Sequence, residues 1–336
     1  MNPDWQTFLS GRGARFNGDS VMGFASPPSA GADIVADLSH EGVIAVAGSD
    51  ARTFLQGQLS TDLDALTNQT SQLSSWSTAK GRVVTVLRVV QRGDSILLLL
   101  PRALLGTVHK RLAMYVLRAK ATLSDASDEL VRIGVSGEHA VQKLESAQLP
   151  VPPHVNAVAS DGATQVIRLH GQCPRFLIMG PADALSGTWT LLSQAGVQPA
   201  GEDEWMLQKL LAGEPTVYPE TSEHFVAQMI GLEELDAISF KKGCYIGQEI
   251  IARAHFRGTV KRHMVRAGST SKEPLRPGMT IVSDASQQPV AEVVDARRQS
   301  GDRYEMLIVI QDDHRHDALR IQDSGDIATV TVTPAD

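Results

Sequence analysis

The chain has 336 residues, of which 42% are hydrophobic and 21% are charged, a composition typical of a globular protein with two or three domains. Its formal net charge of −7 argues against generic binding to nucleic acid or to anionic membranes, so any anion site must be a local basic patch. The N-terminal segment lacks the pattern of a secretory signal, and the apolar run at residues 96–100 is far shorter than the roughly 20 residues of a membrane span. We therefore expect a cytoplasmic protein with no membrane association.

Glycine, serine, proline and asparagine are frequent in residues 1–32, which predicts a loosely held lead-in. A first α/β unit is expected over residues 33–128. Apolar spacing and turn residues there predict a strand at 43–47, a helix at 51–59, strands at 78–90 and 95–100, a helix at 103–115 and a strand at 119–123.

A similar order of elements recurs over residues 129–258, the second predicted α/β unit. The elements expected there are strands at 131–135, 165–169 and 175–179 and helices at 139–149 and near 191–195. The short match between "IAVAGSDARTFLQGQL" and "IGVSGEHAVQKLESAQ" suggests an internal duplication, in which the two units may interleave.

Two further helices are expected at 203–213 and 231–236, before the pattern changes. From residue 259 to 336, short strands broken by Pro, Gly, Asp and Ser predict a small β-barrel or sandwich. These strands are expected at 264–267, 279–282, 290–295, 304–310 and 327–332. The predicted fold class is thus α+β with a C-terminal β domain.

Cys173 and Cys244 are the only two cysteines, and their spacing fits neither a CxxC motif nor a zinc site. Without an export signal we expect both thiols to be reduced, with one disulfide between them as the alternative, and we expect no metal site. Cys173 enters an apolar strand and is expected to be structural. Cys244 follows Lys241 and Lys242, whose charges favour a thiolate, and it lies between two glycines that leave it poorly shielded. An inert, buried thiol is the alternative.

The strip from residue 241 to 266 contains seven Lys or Arg residues and one acid, Glu249. A solvated basic face is one interpretation. A local anion site is the other, because backbone amides at the glycine turns and basic side chains can both hold carboxylate or phosphate oxygens. Trp205, at the start of a predicted helix, is either a packing residue or an aromatic platform for a flat ligand. Nucleotide-binding, zinc-protease and serine-hydrolase motifs are missing.

Residues 238–262, "ISFKKGCYIGQEIIARAHFRGTVKR", closely resemble the signature of the YgfZ family, whose members are folate-binding relatives of the glycine-cleavage aminomethyltransferase. Residues 36–63, 77–89 and 210–229 resemble other segments of that family in the same order. The resemblance implies a ring of ferredoxin-like α/β domains around a channel, with a C-terminal β-barrel. It also implies binding of tetrahydrofolate or a derivative, and a role in maintaining iron–sulfur enzymes such as a tRNA methylthiotransferase.

The resemblance carries specific site residues onto this chain. The family cysteine matches Cys244, a functional thiol that would act as nucleophile, transient metal ligand or redox thiol. Its matching neighbours are Lys242, Gly243, Tyr245, Gly247, Gln248 and Glu249.

Two family tryptophans bear on folate binding. One matches Trp205, whereas the other would fall at Glu41, which removes half of the aromatic clamp. The glutamate tail of folate would meet basic groups such as Arg253 or Lys261.

Aminomethyltransferases carry paired aspartates where this chain has Thr85 and Val86. Because neither side chain can carry a charge or shuttle a proton at neutral pH, ordinary aminomethyl transfer is not expected. The leading hypothesis is a folate-binding accessory protein for iron–sulfur enzymes and thereby for tRNA modification. A folate-dependent one-carbon transferase or oxidoreductase that uses Cys244 is the alternative. A module that binds RNA directly is disfavoured by the net charge.

Overall fold

The computed structural model describes residues 1–258, 260–322 and 328–333 and divides into two compact units that interleave along the sequence. The first unit comprises Met1–Phe54, Leu63–Gln72 and Leu87–Gln208. The second comprises Leu55–Asp62, Leu73–Val86 and the described part of Lys209–Asp336. Each unit therefore draws residues from distant parts of the chain.

The N-terminal segment packs into the first unit through one face of a helix. It forms α1 (Pro3–Ser10), a hairpin of β1 (Arg15–Asn17) and β2 (Ser20–Gly23), and then β3 (Ile34–Asp37). Trp5 and Leu9 are fully buried, and the indole Nε1 of Trp5 donates a hydrogen bond of 2.7 Å to Asp37. The segment expected to be a loose lead-in thus contains a packed helix, because two large apolar side chains one turn apart outweigh its loop-like composition.

The first α/β repeat has the topology of a ferredoxin-like unit with one added strand. Its elements are β4 (Glu41–Ala47), α2 (Ala51–Gln56), β5 (Ser71–Ser77), β6 (Val83–Arg92), β7 (Ser95–Pro101), α3 (Arg102–Ala113) and β8 (Thr122–Asp125). The sheet order is β5-β6-β7-β4-β8. Without β5, this is the βαββαβ order, in which the first strand lies between the third and the fourth.

The second repeat uses the same order but accepts a strand from outside. Its elements are β9 (Val131–Ser136), α4 (Ala140–Ser146), β10 (Val158–Asp161), β11 (Thr164–Leu169), β12 (Arg175–Gly180), α5 (Ala182–Gln194) and β13 (Gln198–Ala200). The sheet order is β10-β11-β12-β9-β3-β13. β3 is antiparallel to β9 and parallel to β13.

The position of β3 differs from the sequence-based division at residues 33–128 and 129–258. That division assigns Ile34–Asp37 to the first α/β unit, whereas the strand pairs inside the second sheet. All four of its residues are buried, which is the pattern of a central strand covered on both faces. Residues 209–258, assigned to the second α/β unit, belong instead with the barrel strands in the second compact unit.

The second unit contains α7 (Gln248–Arg257), the C-terminal end of α6 (Glu202–Leu211), and a closed β-barrel. The barrel strands are β14 (Arg262–Thr270), β15 (Thr280–Ser283), β16 (Pro289–Ser300), β17 (Arg303–Gln311), β18 (Leu319–Ile321) and β19 (Thr329–Val332). They close in the order β14-β17-β16-β15-β18-β19 around a core that includes Ile281, Val293, Met306 and Ile308. The predicted α+β class with a C-terminal β-barrel is confirmed. Ile327, the first residue of the last predicted strand, lies outside the described residues.

Several predicted elements are shifted for identifiable reasons. Residues 78–82, predicted as strand, form a turn in which Gly81 has φ of 69°. β5 was not predicted because it is rich in serine, yet Ser74 and Ser75 are buried and bond to the Ser60 hydroxyl. Residues 231–236 form turns rather than a helix, since Gly231 adopts a left-handed conformation.

Trp205 of α6 is a core residue of the first unit. Its side chain is 1% exposed, and the guanidinium of Arg175 lies 4.8 Å from its ring centroid. A Cβ atom added to Gly134 of β9 would lie 2.5 Å from Cζ3 of the indole. The glycine therefore makes room for the ring.

We predict that Gly134→Ala lowers the free energy of unfolding by about 1–3 kcal/mol, because the new methyl group overlaps the indole of Trp205. Gly187→Ala is the matched control. Gly187 lies in α5 with no atom within 4 Å of the added Cβ, so alanine there should raise stability by about 0.5–1 kcal/mol. Urea unfolding checks both values, and equal effects of the two substitutions would contradict the packing described for Trp205.

Candidate functional site

The cysteine motif forms a surface loop of the second unit that leads into α7. Cys244 is a free, exposed cysteine. Backbone bonds attach the loop to the segment Leu55–Asp62: Ser239 N donates to Ser60 O at 2.8 Å, and Ile246 N donates to Gly57 O at 3.2 Å. The loop is thus fixed on both sides of the thiol, which itself faces solvent.

Lys242 anchors this loop from inside. Its side chain is buried, and its ammonium donates to the backbone oxygens of Leu59 at 2.9 Å and Thr61 at 2.6 Å. The same ammonium lies 5.1 Å from the ring centroid of Tyr245. Lys242, expected from the sequence to favour a Cys244 thiolate, is therefore a structural cation committed to two carbonyl groups. Lys241, in contrast, is exposed.

Two glycine turns meet where the loop becomes a helix. Gly247 has φ of 84° and precedes the first residue of α7. A Cβ atom there would lie 2.7 Å from Thr78 O, and one at Gly81 would lie 2.8 Å from Cβ of Ile250. The turn at residues 78–82 and the start of α7 therefore approach too closely for side chains, which joins two motifs that are far apart in sequence.

Tyr245 is buried beside the exposed thiol. It is 7% exposed, and its hydroxyl has no hydrogen-bond partner among the described residues. Burial raises the pKa of Tyr245 to about 12, so its hydroxyl stays protonated and can act as a donor at neutral pH. A buried hydroxyl without a partner costs about 1–3 kcal/mol, a penalty that an incoming acceptor would offset.

The other predicted binding residues of the second unit lie on or after α7. Gln248 is half-buried at the first turn of the helix. Glu249 and Arg253 are exposed and form an ion pair of 2.7 Å one turn apart. Lys261 is exposed and has no ion pair among the described residues. The two predicted partners of a glutamate tail thus differ, because Arg253 is already neutralised and Lys261 is not.

Trp205 belongs to the first unit and, at 1% exposure, presents no open face on which a pterin could stack. Its unpaired indole nitrogen is not distinctive, since the buried Trp189 also lacks a partner for Nε1 among the described residues. Glu41, at the position of the second family tryptophan, lies in β4. As placed, Trp205 is a packing residue.

Thr85 and Val86 are buried in β6. The Thr85 hydroxyl donates to the backbone oxygen of Val86 at 3.0 Å. Neither residue presents an ionisable group. Cys173 is a free, half-buried thiol of the first unit, 3.4 Å from the Ser136 hydroxyl.

Sequence reasoning missed α7 and an aromatic cluster that joins two of its residues to Phe240. The signals were present: Glu249 and Arg253 have helical spacing, as do Ile250 and Ala254. The basic strip and the two glycines instead suggested a loop throughout. Phe240, His255 and Phe256 form the cluster, with the Phe240 and His255 rings stacked at 3.9 Å.

Among the described residues, no group of three His, Cys, Asp or Glu side chains could hold a metal ion. No helix in the described ranges is both long enough and apolar enough to cross a membrane.

Known proteins are similar to this chain in fold and in sequence. The structure of the glycine-cleavage aminomethyltransferase T from Bartonella henselae is similar over 99% of this chain and 97% of that chain, with a TM-score of 0.77 at 15% identity. The fold is therefore that of an aminomethyltransferase. No protein-family model matches the chain.

Curated relatives narrow the assignment. The tRNA-modifying protein YgfZ of Colwellia psychrerythraea is 31% identical over 241 residues, which cover 71% of this chain and 73% of the relative. The protein of the same name from Photorhabdus laumondii is 33% identical, with 71% and 72% covered. That from Escherichia fergusonii is 28% identical, with 86% and 88% covered. The chain belongs to the YgfZ family.

We predict that Lys242→Met lowers the free energy of unfolding by about 2–3 kcal/mol, because it removes two charge-assisted bonds and leaves the carbonyls of Leu59 and Thr61 without their donor. Lys241→Met, at the exposed neighbour, should change stability by less than about 0.5 kcal/mol. Denaturant unfolding measures both effects. Hydrogen exchange of the loop amides should accelerate only in Lys242→Met. Equal stability of the two variants would contradict the anchoring role.

Proposed function

We propose that this chain is a cytoplasmic folate-binding accessory protein that supports iron–sulfur enzymes and, through them, tRNA modification. Two findings support the proposal. The family relatives carry the name tRNA-modifying protein, and the fold is that of an aminomethyltransferase. The observation that carries the ligand part is the buried Tyr245 hydroxyl beside the exposed Cys244, since this donor lacks an acceptor among the described residues.

The residues around Cys244 fit a reduced folate. The Tyr245 hydroxyl would donate to a ring oxygen or nitrogen once a small side-chain movement admits the ligand. Gln248 and Glu249, at the first turn of α7, would accept from the pterin N–H groups. Lys261, which has no ion pair among the described residues, would meet a glutamate carboxylate. Arg253 would do so after exchanging Glu249 for the ligand.

We do not propose that the pterin stacks directly on Trp205. The indole is fully packed in the core of the first unit, and Gly134 and Arg175 lie against it. Trp205 would instead support the fold of that unit. Its fluorescence remains a useful probe, because a buried tryptophan responds to changes in packing.

The proposed role is accessory and not ordinary aminomethyl transfer. Thr85 and Val86 offer no carboxylate, and the Thr85 hydroxyl is occupied by a backbone carbonyl. Bound tetrahydrofolate would supply one-carbon or reducing chemistry. Cys244 would face the folate or a partner protein as nucleophile, transient ligand or redox thiol, and its exposure suits each of these roles.

Isothermal titration calorimetry with tetrahydrofolate is expected to show saturable binding, weakened about fivefold in Tyr245→Phe by loss of one hydrogen bond. The same variant should unfold no more easily than the wild type, because the removed hydroxyl has no partner in the described structure. Tyr304→Phe, a buried barrel tyrosine, is the control and should bind folate normally. No binding to the wild type would refute the folate proposal.

Cys244→Ala is expected to fail to complement a bacterial strain that lacks its YgfZ relative, measured as the activity of iron–sulfur enzymes under oxidative stress. Cys173→Ala, at the half-buried thiol, is the control and should complement. Full rescue by Cys244→Ala would make the thiol dispensable. A folate product formed by purified protein and lost in Cys244→Ser would instead favour the transferase or oxidoreductase alternative.

A further inference from the structure

Two aromatic side chains near the end of α7 pack with Phe240, which precedes the cysteine loop, and one of the three rings is exposed. Phe256 is 67% exposed, and no other large hydrophobic side chain among the described residues of the second unit is exposed. Its ring meets His255 at 4.5 Å and Phe240 at 5.9 Å, both edge-to-face. We call Phe240, His255 and Phe256 the aromatic cluster.

The cluster is held in one arrangement. His255 stacks on Phe240 at an interplanar angle of 17°, and its Nδ1 lies 2.7 Å from a carboxylate oxygen of Glu233. Two rings are therefore fixed by stacking and by a polar contact, while the third projects from them. Edge-to-face contacts with these two rings restrict Phe256, which lowers the conformational entropy it loses when it binds a flat partner.

Basic residues lie close to the cluster in sequence, and several of them have no ion pair among the described residues. Of the seven Lys or Arg residues in the strip from 241 to 266, Lys242 is buried on carbonyls, Arg253 pairs with Glu249 and Arg266 pairs with Glu305. The other four are Lys241, Arg257, Lys261 and Arg262, of which none has an ion pair among the described residues. On α7, Arg253, Phe256 and Arg257 share one face by helical spacing.

We propose that the aromatic cluster, together with Lys241 next to Phe240 and Arg257 next to Phe256, forms a binding surface for unpaired nucleotides of RNA. Unpaired bases stack on aromatic rings and on Arg planes, while Lys and Arg neutralise the backbone phosphates. The choice of RNA rests on the proposed role in tRNA modification. The net charge of −7 belongs to the whole chain, whereas the strip from 241 to 266 has seven cations and one acid.

A protein partner fits these residues less well. Among the described residues of the second unit, Phe256 is the one large hydrophobic side chain that is exposed. A protein hot spot buries an anchor in a packed apolar surround. A nucleobase needs only a ring face and nearby positive charge, and both are present.

The test measures fluorescence anisotropy of a labelled single-stranded RNA of about 12 nucleotides, a length within the site sizes of such surfaces. The full chain should bind it more tightly than the same sequence paired into a duplex. Phe256→Ala should weaken binding about tenfold through lost stacking. Arg257→Gln should lower the slope of log affinity against log salt by about 0.7, the loss of one phosphate contact on a single strand.

Matched controls lie in the first unit. Met114→Ala removes another exposed apolar side chain, and Arg118→Gln removes another exposed cation. Both variants should bind the RNA as the wild type does. Calorimetry with tetrahydrofolate on Phe256→Ala separates the two proposals. Loss of RNA binding with folate binding intact supports the RNA surface, whereas absent folate binding with RNA binding intact removes only the folate proposal.

Three outcomes would overturn the inference. One is equal affinity for single-stranded and paired RNA, or no effect of Phe256→Ala. Another is equally tight binding of poly-glutamate that Phe256→Ala also abolishes, which would assign the surface to an acidic protein. The third is a dimer in sedimentation that Phe256→Ala dissociates while RNA binding is unchanged, which would assign the surface to a second copy of the chain.

Discussion

The burial of one ammonium group determines the geometry of the cysteine loop. Removing a cation from water costs several kcal/mol unless hydrogen bonds and other contacts compensate for it. Lys242 obtains this compensation from the carbonyls of Leu59 and Thr61 and from the ring of Tyr245. These contacts hold the loop from inside at Lys242, whereas the next two residues, Gly243 and Cys244, are exposed.

The basic residues of the strip from 241 to 266 therefore differ in role: some bind groups of the protein itself, and others are exposed and can bind an anion. Sequence alone counts Lys242 with the basic strip, but its ammonium is satisfied inside the unit. Arg253 is exposed yet paired with Glu249. The cations of the strip without an ion pair among the described residues are Lys241 before the loop, Arg257 at the end of α7, and Lys261 and Arg262 after it. Of two adjacent lysines, Lys242 thus stabilises the loop, whereas Lys241 is exposed and available to a ligand.

The amino-acid pattern predicts elements that bury their own apolar residues. It misses elements whose polar residues are buried against partners far away in sequence. The barrel and the two α/β repeats follow from alternating apolar residues and turn residues, and the cysteine motif identifies the family. β5 is missed because its serines look like a loop until Ser60 supplies their partner. The burial of Lys242 and of Trp205 depends on carbonyls and on a glycine far away in sequence. No local pattern contains these contacts. The fold shared with aminomethyltransferase T does not determine the chemistry either, because the chemistry depends on individual side chains such as Thr85.

The insertion of β3 between β9 and β13 has a consequence for how this chain is made and how it can vary. Synthesis delivers Ile34–Asp37 long before either neighbour, so this strand must wait, unpaired on both edges, until the second repeat emerges. A gene fragment that starts at β9 would encode a sheet without the strand that joins β9 to β13. A working exchange of the second repeat with another protein would therefore have to include Ile34–Asp37 as well.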